Sequence, residues 1–323
     1  MIGIDVLFTS LVFPGLLFSV AMAFWFQYLE RKIVARIQRR IGPLYTGPHG
    51  LFQPLYDFLK MLFKEEIIPE NTDKLYYRIA PVLAVVIPIY GMALIPIICY
   101  KCALNFEGDF LFTLFLFSLS VFTTAIAGYA VYSPYSSVGV GRLIVQYSIY
   151  ESFLALSLAI AALQTSIIDF SGLLQYQTIH GPLVFYQPIG FVVAIIALIA
   201  KLEKPPFDLP HAKQEIVAGW MTEYSGRGLA FLKLSKDLSM VWGISLISTV
   251  YLGGPLGPLF PEAGPVGLLW FAIKCLAISL VIIFVRAVSG RTRVYGLAER
   301  LWARVIPLVV LQFIIAVLVR WYM

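Results

Sequence analysis

Eight apolar stretches, each near the length needed to cross a lipid bilayer, dictate what this chain can become. A hydrocarbon core about 30 Å thick takes roughly 20 apolar residues per helix. Runs of that kind fall at about 6–29, 79–100, 110–132, 143–163, 183–200, 238–252, 266–285 and 305–319, the sixth and eighth being short. The expectation is an all-α, polytopic membrane protein with about eight transmembrane helices, forming one membrane domain over residues 1–323. Composition agrees: 60% of residues are hydrophobic and 13% charged, against about a quarter charged in a soluble domain. The N-terminal run contains Ala21-Met22-Ala23, which resembles a cleavage site, but it lacks a basic leader and is too long for a signal peptide.

Basic residues mark the cytoplasmic loops of membrane proteins. The stretches 30–78, 133–142, 201–237 and 286–304 hold 21 of the 24 Lys and Arg, so they are expected to be the cytoplasmic loops, with both termini outside. The net charge of +6 is then a topology signal, and nucleic-acid binding is not expected. Cys99 and Cys102 form a CxxC, but no second pair or nearby histidine completes a metal site. His49, His180 and His211 are scattered, and no haem, iron–sulfur or phosphate-loop motif is present, so no resident metal or redox centre is expected.

Four places carry polar chemistry. The first basic loop has a turn-rich path through Gly42, Pro43, Gly47, Pro48, Gly50 and Pro54. An amphipathic helix follows, with Leu55, Phe58, Leu59, Leu62 and Phe63 on one face and Asp57, Lys60 and Lys64 elsewhere. It reads equally well as an interfacial helix and as a docking platform for a soluble partner. Glu151 lies inside the fourth apolar run, where a carboxylate costs about 2.5–3.5 kcal/mol on insertion scales, so it needs a partner or a proton; Tyr147, one turn earlier, is the expected partner. Lys274 interrupts the seventh run and either snorkels or pairs with a buried carboxylate. The stretch 201–237 is the richest: Glu203, Asp208, Glu215, Glu223 and Asp237 face Lys201, Lys204, Lys213, Arg227, Lys233 and Lys236. Pro210 suits the first turn of a helix, which would set His211 and Glu215 one turn apart.

These residues also fall in a familiar order. Glu30-Arg31-Lys32, Gln38, Arg40-x-Gly42-Pro43, Gly47-Pro48-x-Gly50, Gln53-Pro54, Asp57, Lys60 and Lys64-Glu65 form one long motif. Glu151, Pro206-Phe207-Asp208-Leu209-Pro210, Glu215-x-Val217-Ala218-Gly219, Glu223-Tyr224-Ser225-Gly226, Lys274 and Arg286 follow it. Over most of its length the chain resembles the membrane subunit that joins the redox arm to the membrane arm of respiratory complex I, and its counterparts in energy-converting hydrogenases. The resemblance implies a multi-pass subunit of the cell membrane, without its own redox centre, in a cation-translocating oxidoreductase complex. It would lie under soluble iron–sulfur and catalytic subunits on the cytoplasmic side, next to antiporter-like ion-pumping subunits. Carried over by position, Glu151, Glu203, Asp208, Glu215, Glu223 and Lys274 would form a coupling path. Glu30, Arg31, Arg36, Arg40, Asp57, Arg142, Arg286, Arg291 and Arg293 would be charge partners or docking residues.

The departures from that pattern add bases. Quinone-reducing members usually carry Ala-Glu-x-Asn-Arg where this chain has Ala200-Lys201-Leu202-Glu203-Lys204; two further acids become His211 and Lys213, and a later Ala-Glu-Tyr becomes Ser235-Lys236-Asp237. A Pro-Arg-x-Arg pattern becomes Gly290-Arg291-Thr292-Arg293. On that ground the expected setting is a ferredoxin-linked membrane-bound hydrogenase or sulfur-reducing complex, with a quinone-reducing complex as the alternative. A stand-alone secondary ion transporter and a purely structural anchor are the readings from other classes.

Overall fold

The computed structural model describes residues 8–9, 11–98, 104–257, 265–292 and 294–322. Among these there is no strand, and the chain is a bundle of helices: α1 Leu16–Ile37, α2 Gln53–Leu62, α3 Lys74–Ala93, α4 Asp109–Tyr129, α5 Pro134–Thr165, α6 Phe170–His180, α7 Pro188–Lys201, α8 Gly226–Leu252, α9 Pro265–Val288 and α10 Val294–Tyr322. Five spans, Lys74–Ala93, Asp109–Tyr129, Pro134–Thr165, Pro265–Val288 and Leu301–Trp321, are long and apolar enough to cross a membrane. The other three expected segments take different forms. The first lies in the region of α1, which runs on through Glu30 to Ile37. The fifth is split between a 3₁₀ turn, Leu183–Phe185, and the 14-residue α7, whose length of about 21 Å falls short of the hydrocarbon core. The sixth is the second half of a 27-residue helix, α8.

Two expected loops are therefore partly helical. Residues 134–142 are the opening turns of α5, so Arg142 projects from a helix, and residues 226–237 are the first three turns of α8. Pro134 supplies the helix start at the first of these, where its missing N–H costs nothing. Helix α6 was not foreseen, yet its start is written locally: the Asp169 side chain accepts from the Gly172 N–H at 2.8 Å. The CxxC cysteines and Arg293 lie outside the described residues.

α8 is the centre of the bundle. It packs on α1, α2, α3, α6, α7 and α9, and from Leu238 to Tyr251 nearly every side chain is buried. A helix buried all round in this way belongs to an interior position. Trp242, fully buried, lies where a Cβ on Gly91 of α3 would collide with the indole. The apolar residues left exposed, such as Leu83 and Val86 on α3, Phe115 and Phe122 on α4 and Leu311 and Ile314 on α10, give the outside of the bundle the surface a bilayer requires.

Candidate functional site

The charged stretch between α7 and α8 folds as an ordered cover over one end of the bundle. Tyr224 stacks on Tyr77 with ring centroids 4.4 Å apart and donates to the Ala127 carbonyl at 2.9 Å. Ser225 donates to the Ile67 carbonyl at 3.1 Å, and Thr292 donates to the Pro206 carbonyl at 2.8 Å. The buried Trp220 sits in a 3₁₀ turn, Gly219–Met221, pressed so closely on α5 that a Cβ at Gly139 would lie 2.6 Å from the Trp220 nitrogen. Gly219 has φ +64°, a conformation natural only to glycine, and a side chain there would strike the Pro210 carbonyl.

Beneath this cover lies a cavity of about 430 Å³, lined by Gln27, Glu30, Glu203, Asp208, His211 and Arg286 among others. A second cavity, of about 390 Å³, lies between α1, α2 and α8, and its walls include Phe24, Phe58, Met61 and Leu229. The two share Gln27, Arg31, Lys233 and Asp237 as lining residues, so the chambers adjoin, and the second sets its apolar wall beside the charges of Arg31, Asp57, Lys60, Lys64, Lys233 and Asp237.

Three ion-pair groups build the charged chamber. Glu203, in the left-handed region at φ +51°, accepts from Lys236 at 2.9 Å and from Trp220 Nε1 at 3.4 Å, with His211 Nε2 at 2.6 Å. His211 Nδ1 donates to the Ala218 carbonyl at 3.1 Å, so its Nε2 faces both Glu203 and Lys236. It donates to the carboxylate when protonated and accepts from the ammonium when not. Burial alone would raise the Glu203 carboxyl, but Lys236 and His211 hold it well below the usual carboxylate range. Burial raises Asp208, a few residues on, against the pull of His211, Lys236 and Arg291. The second group centres on Glu30, only 4% exposed, which Lys204 reaches at 2.6 Å and Arg286 also contacts. In the third, Arg31 pairs with Asp57 of α2 at 2.5 Å, and Gln53 donates to the same carboxylate at 2.8 Å.

The remaining expected residues divide. Glu215 pairs with Arg142 at the surface, and that contact lowers its carboxyl. His211 and Glu215 do not act together, because only a single turn, Lys213–Ile216, forms after Pro210. Glu223 is half-buried within the cover. Arg36 is exposed at the end of α1, Arg40 lines a side cavity with Glu30 and Arg286, and Arg291 is exposed near Asp208. Glu151 accepts from Ser118 of α4 at 2.5 Å, not from Tyr147, whose ring instead packs edge-on to Phe122 and Tyr150. Spacing along one helix pointed to Tyr147; the hydroxyl that arrives comes from a neighbouring helix. Lys274 has no carboxylate partner among the described residues either: it donates to the carbonyls of Leu252 at 2.6 Å, Gly254 at 3.0 Å and Leu256 at 2.5 Å. It caps the far end of α8.

Trp220 and Ser118 join the site unannounced. Asp237, named in the sequence only as one acid of the charged stretch, lines both cavities. Among the described residues no cluster of His, Cys, Asp and Glu is arranged to hold a metal ion.

Known proteins provide a separate line. A sequence model described as NADH dehydrogenase matches residues 10–317. The chain is 34% identical to the H-type subunit of NADH-quinone oxidoreductase from Thermomicrobium roseum, with 94% of this chain and 92% of that protein covered. It is 33% identical to the corresponding protein of Geobacter sulfurreducens, covering 94% and 91%, and 34% identical to that of Dehalococcoides mccartyi, covering 94% and 84%.

Proposed function

Because the chain belongs to the NADH dehydrogenase family of membrane subunits, we propose that it forms the membrane floor of the quinone site in a complex I-type oxidoreductase. The adjoining cavities carry this reading. A quinone has a polar head and an apolar tail. The apolar wall of the second cavity, Phe24, Phe58, Met61 and Leu229, suits the tail, with the charges of Lys60, Lys64 and Asp57 on its other side, and the cavity holding Glu203, His211 and Lys236 offers hydrogen bonds and protons to the head. Electrons would come from an iron–sulfur cluster of a soluble arm seated on the cover, on the cytoplasmic side. Reduction of a quinone draws protons, and the titratable groups around Glu203 and Asp208 would pass the change through Glu151 to ion-pumping partners. The names of the relatives favour this over the ferredoxin-linked setting expected from the exchanged acids.

The ferredoxin-linked reading keeps one observation in its favour. His211 and Lys236 stand directly on Glu203, so the head-group end of the cavity is more basic than an acid-lined site. Enzymology of the intact complex separates the two. Leu229→Trp, which fills that second cavity from its apolar wall, is expected to raise the KM for a long-tailed quinone by about tenfold, as loss of a well-fitted apolar contact does. Reduction of a water-soluble acceptor by the soluble arm should be unchanged. A complex that reduces no quinone and evolves hydrogen or reduces sulfur would transfer the chain to the second reading.

A further inference from the structure

We propose that Lys201 is a proton-carrying amine in a hydrated chamber between the loop cavity and Glu151. The proposal rests on the reading above, in which the chain couples electron transfer to cation movement. Lys201 ends α7 and is 7% exposed, with its Nζ 4.1 Å from the centroid of the Phe117 ring and 5.7 Å from that of Trp242. Among the described residues no carboxylate lies within ion-pair distance of it; its partners are the Phe117 carbonyl at 2.9 Å and Ser120 Oγ at 2.7 Å.

That partner set suits both protonation states. A neutral amine has two N–H donors and a lone pair, and an ammonium has three donors. The two protein acceptors satisfy the amine's two hydrogens, which leaves the third direction to carry either a proton or a lone pair. Lys201 lines a chamber of about 40 Å³ together with Ser120, Thr124, Gln146, Tyr150 and Glu203, above the roughly 10–15 Å³ that one water needs. Gln146 Nε2 donates to the Ala200 carbonyl at 2.6 Å, while its buried Oε1 has no partner among the described residues. That oxygen is the acceptor a chamber water would use.

The chamber has a donor side and an acceptor side. Glu203 and Lys236 line it toward the loop cavity, with His211 directly behind them. Outside the chamber wall, next in sequence to the lining residue Tyr150, Glu151 accepts from Ser118 of α4, and its Oε2 is buried without a partner among the described residues. The charged and titratable groups facing Lys201 are therefore Glu203, Lys236, Tyr150 and Glu151. In the step we envisage, the Lys201 ammonium gives one proton through water to Glu151 Oε2, leaving an amine and a carboxylic acid. The amine then takes one proton from the Glu203–His211–Lys236 cluster through the chamber water. One proton has moved and every atom at Lys201 is restored.

The test uses the assembled complex in liposomes, reading cation translocation and, separately, artificial-acceptor reduction by the soluble arm. Lys201→Met removes the amine, and Lys201→Arg keeps the charge but cannot release a proton. Both are expected to lower coupled turnover by about 100-fold, the lower range for loss of a proton-transfer group, with acceptor reduction unchanged. Ser239→Leu fills the chamber wall while leaving Lys201 in place, and it should slow coupled turnover in the same way. It also decides the matter if the Lys201 variants fail to assemble. Wild-type coupled turnover in Lys201→Arg or in Ser239→Leu would overturn this proposal alone. A wild-type complex that turns over without moving cations would overturn the functional reading, and this step with it.

Discussion

Glu203 and Glu215 are both acids paired with bases, yet burial makes them different in kind. Glu203 gathers Lys236, His211 and Trp220 in a buried position, so removing its charge strands the Lys236 ammonium and weakens the acceptor shared by the other two. Glu203→Gln is expected to destabilise the cover by about 3–5 kcal/mol, read as faster amide hydrogen exchange across residues 203–225. Since the native carboxyl titrates below its unfolded value, the wild type binds fewer protons folded than unfolded. Its advantage over the variant should be complete above about pH 4.3 and shrink as pH falls below that value. Glu215→Gln, at a half-exposed pair with Arg142, should leave the thermal transition where it is in the wild type. At this scale the sequence reports that a charge is misplaced in an apolar run, and so Glu151 stood out. It does not report what answers that charge, because Ser118 and the carbonyls around Lys274 reach their partners from other segments.

Among the elements, α8 shows what apolar length alone conceals. The residues before Leu238 are too charged to extend an apolar run, yet Gly226–Leu252 is one helix because its first turns are wrapped by α1, α2 and the cover. Its far end stops at Gly253 in the left-handed conformation, and Lys274 satisfies carbonyls that helix termination leaves open. Lys274→Met keeps the stem and removes the donors. It is expected to cost about 1–3 kcal/mol and to speed amide hydrogen exchange in the last turn of α8, with no change at Glu203. The ends of α5 and α8 were misjudged for one shared reason: hydropathy registers lipid contact, and both helices continue past it into protein. Helix α6 went unseen because an 11-residue segment carries too few turns for a periodic signal.

For the whole molecule, the apolar segments made the class of protein legible, and the ordered motifs made its family legible. The adjoining cavities were not, since their walls come from α1, α2, α8, α9 and the cover at once. Orientation remains tied to the distribution of basic residues. We expect a cysteine introduced at Tyr45, which is 96% exposed, to react with an impermeant thiol reagent only from the cytoplasmic face. Labelling from the outside would invert the topology.

The two ends of α8 are held by different kinds of contact. One end is gripped by Lys274 through three backbone carbonyls, which do not titrate near neutrality. The other is held through Lys236 by Glu203 and His211. Between them Trp242 bears on α3 at Gly91 with no room for a methyl group. Along this rod of about 40 Å, the contact beyond the far end is insensitive to protonation, while the one at Lys236, three turns in from the start, is made of titratable groups. Any change in the charge of Glu203, His211 or Lys236 therefore alters the hold on one half of α8 and leaves the hold on the other half as it was.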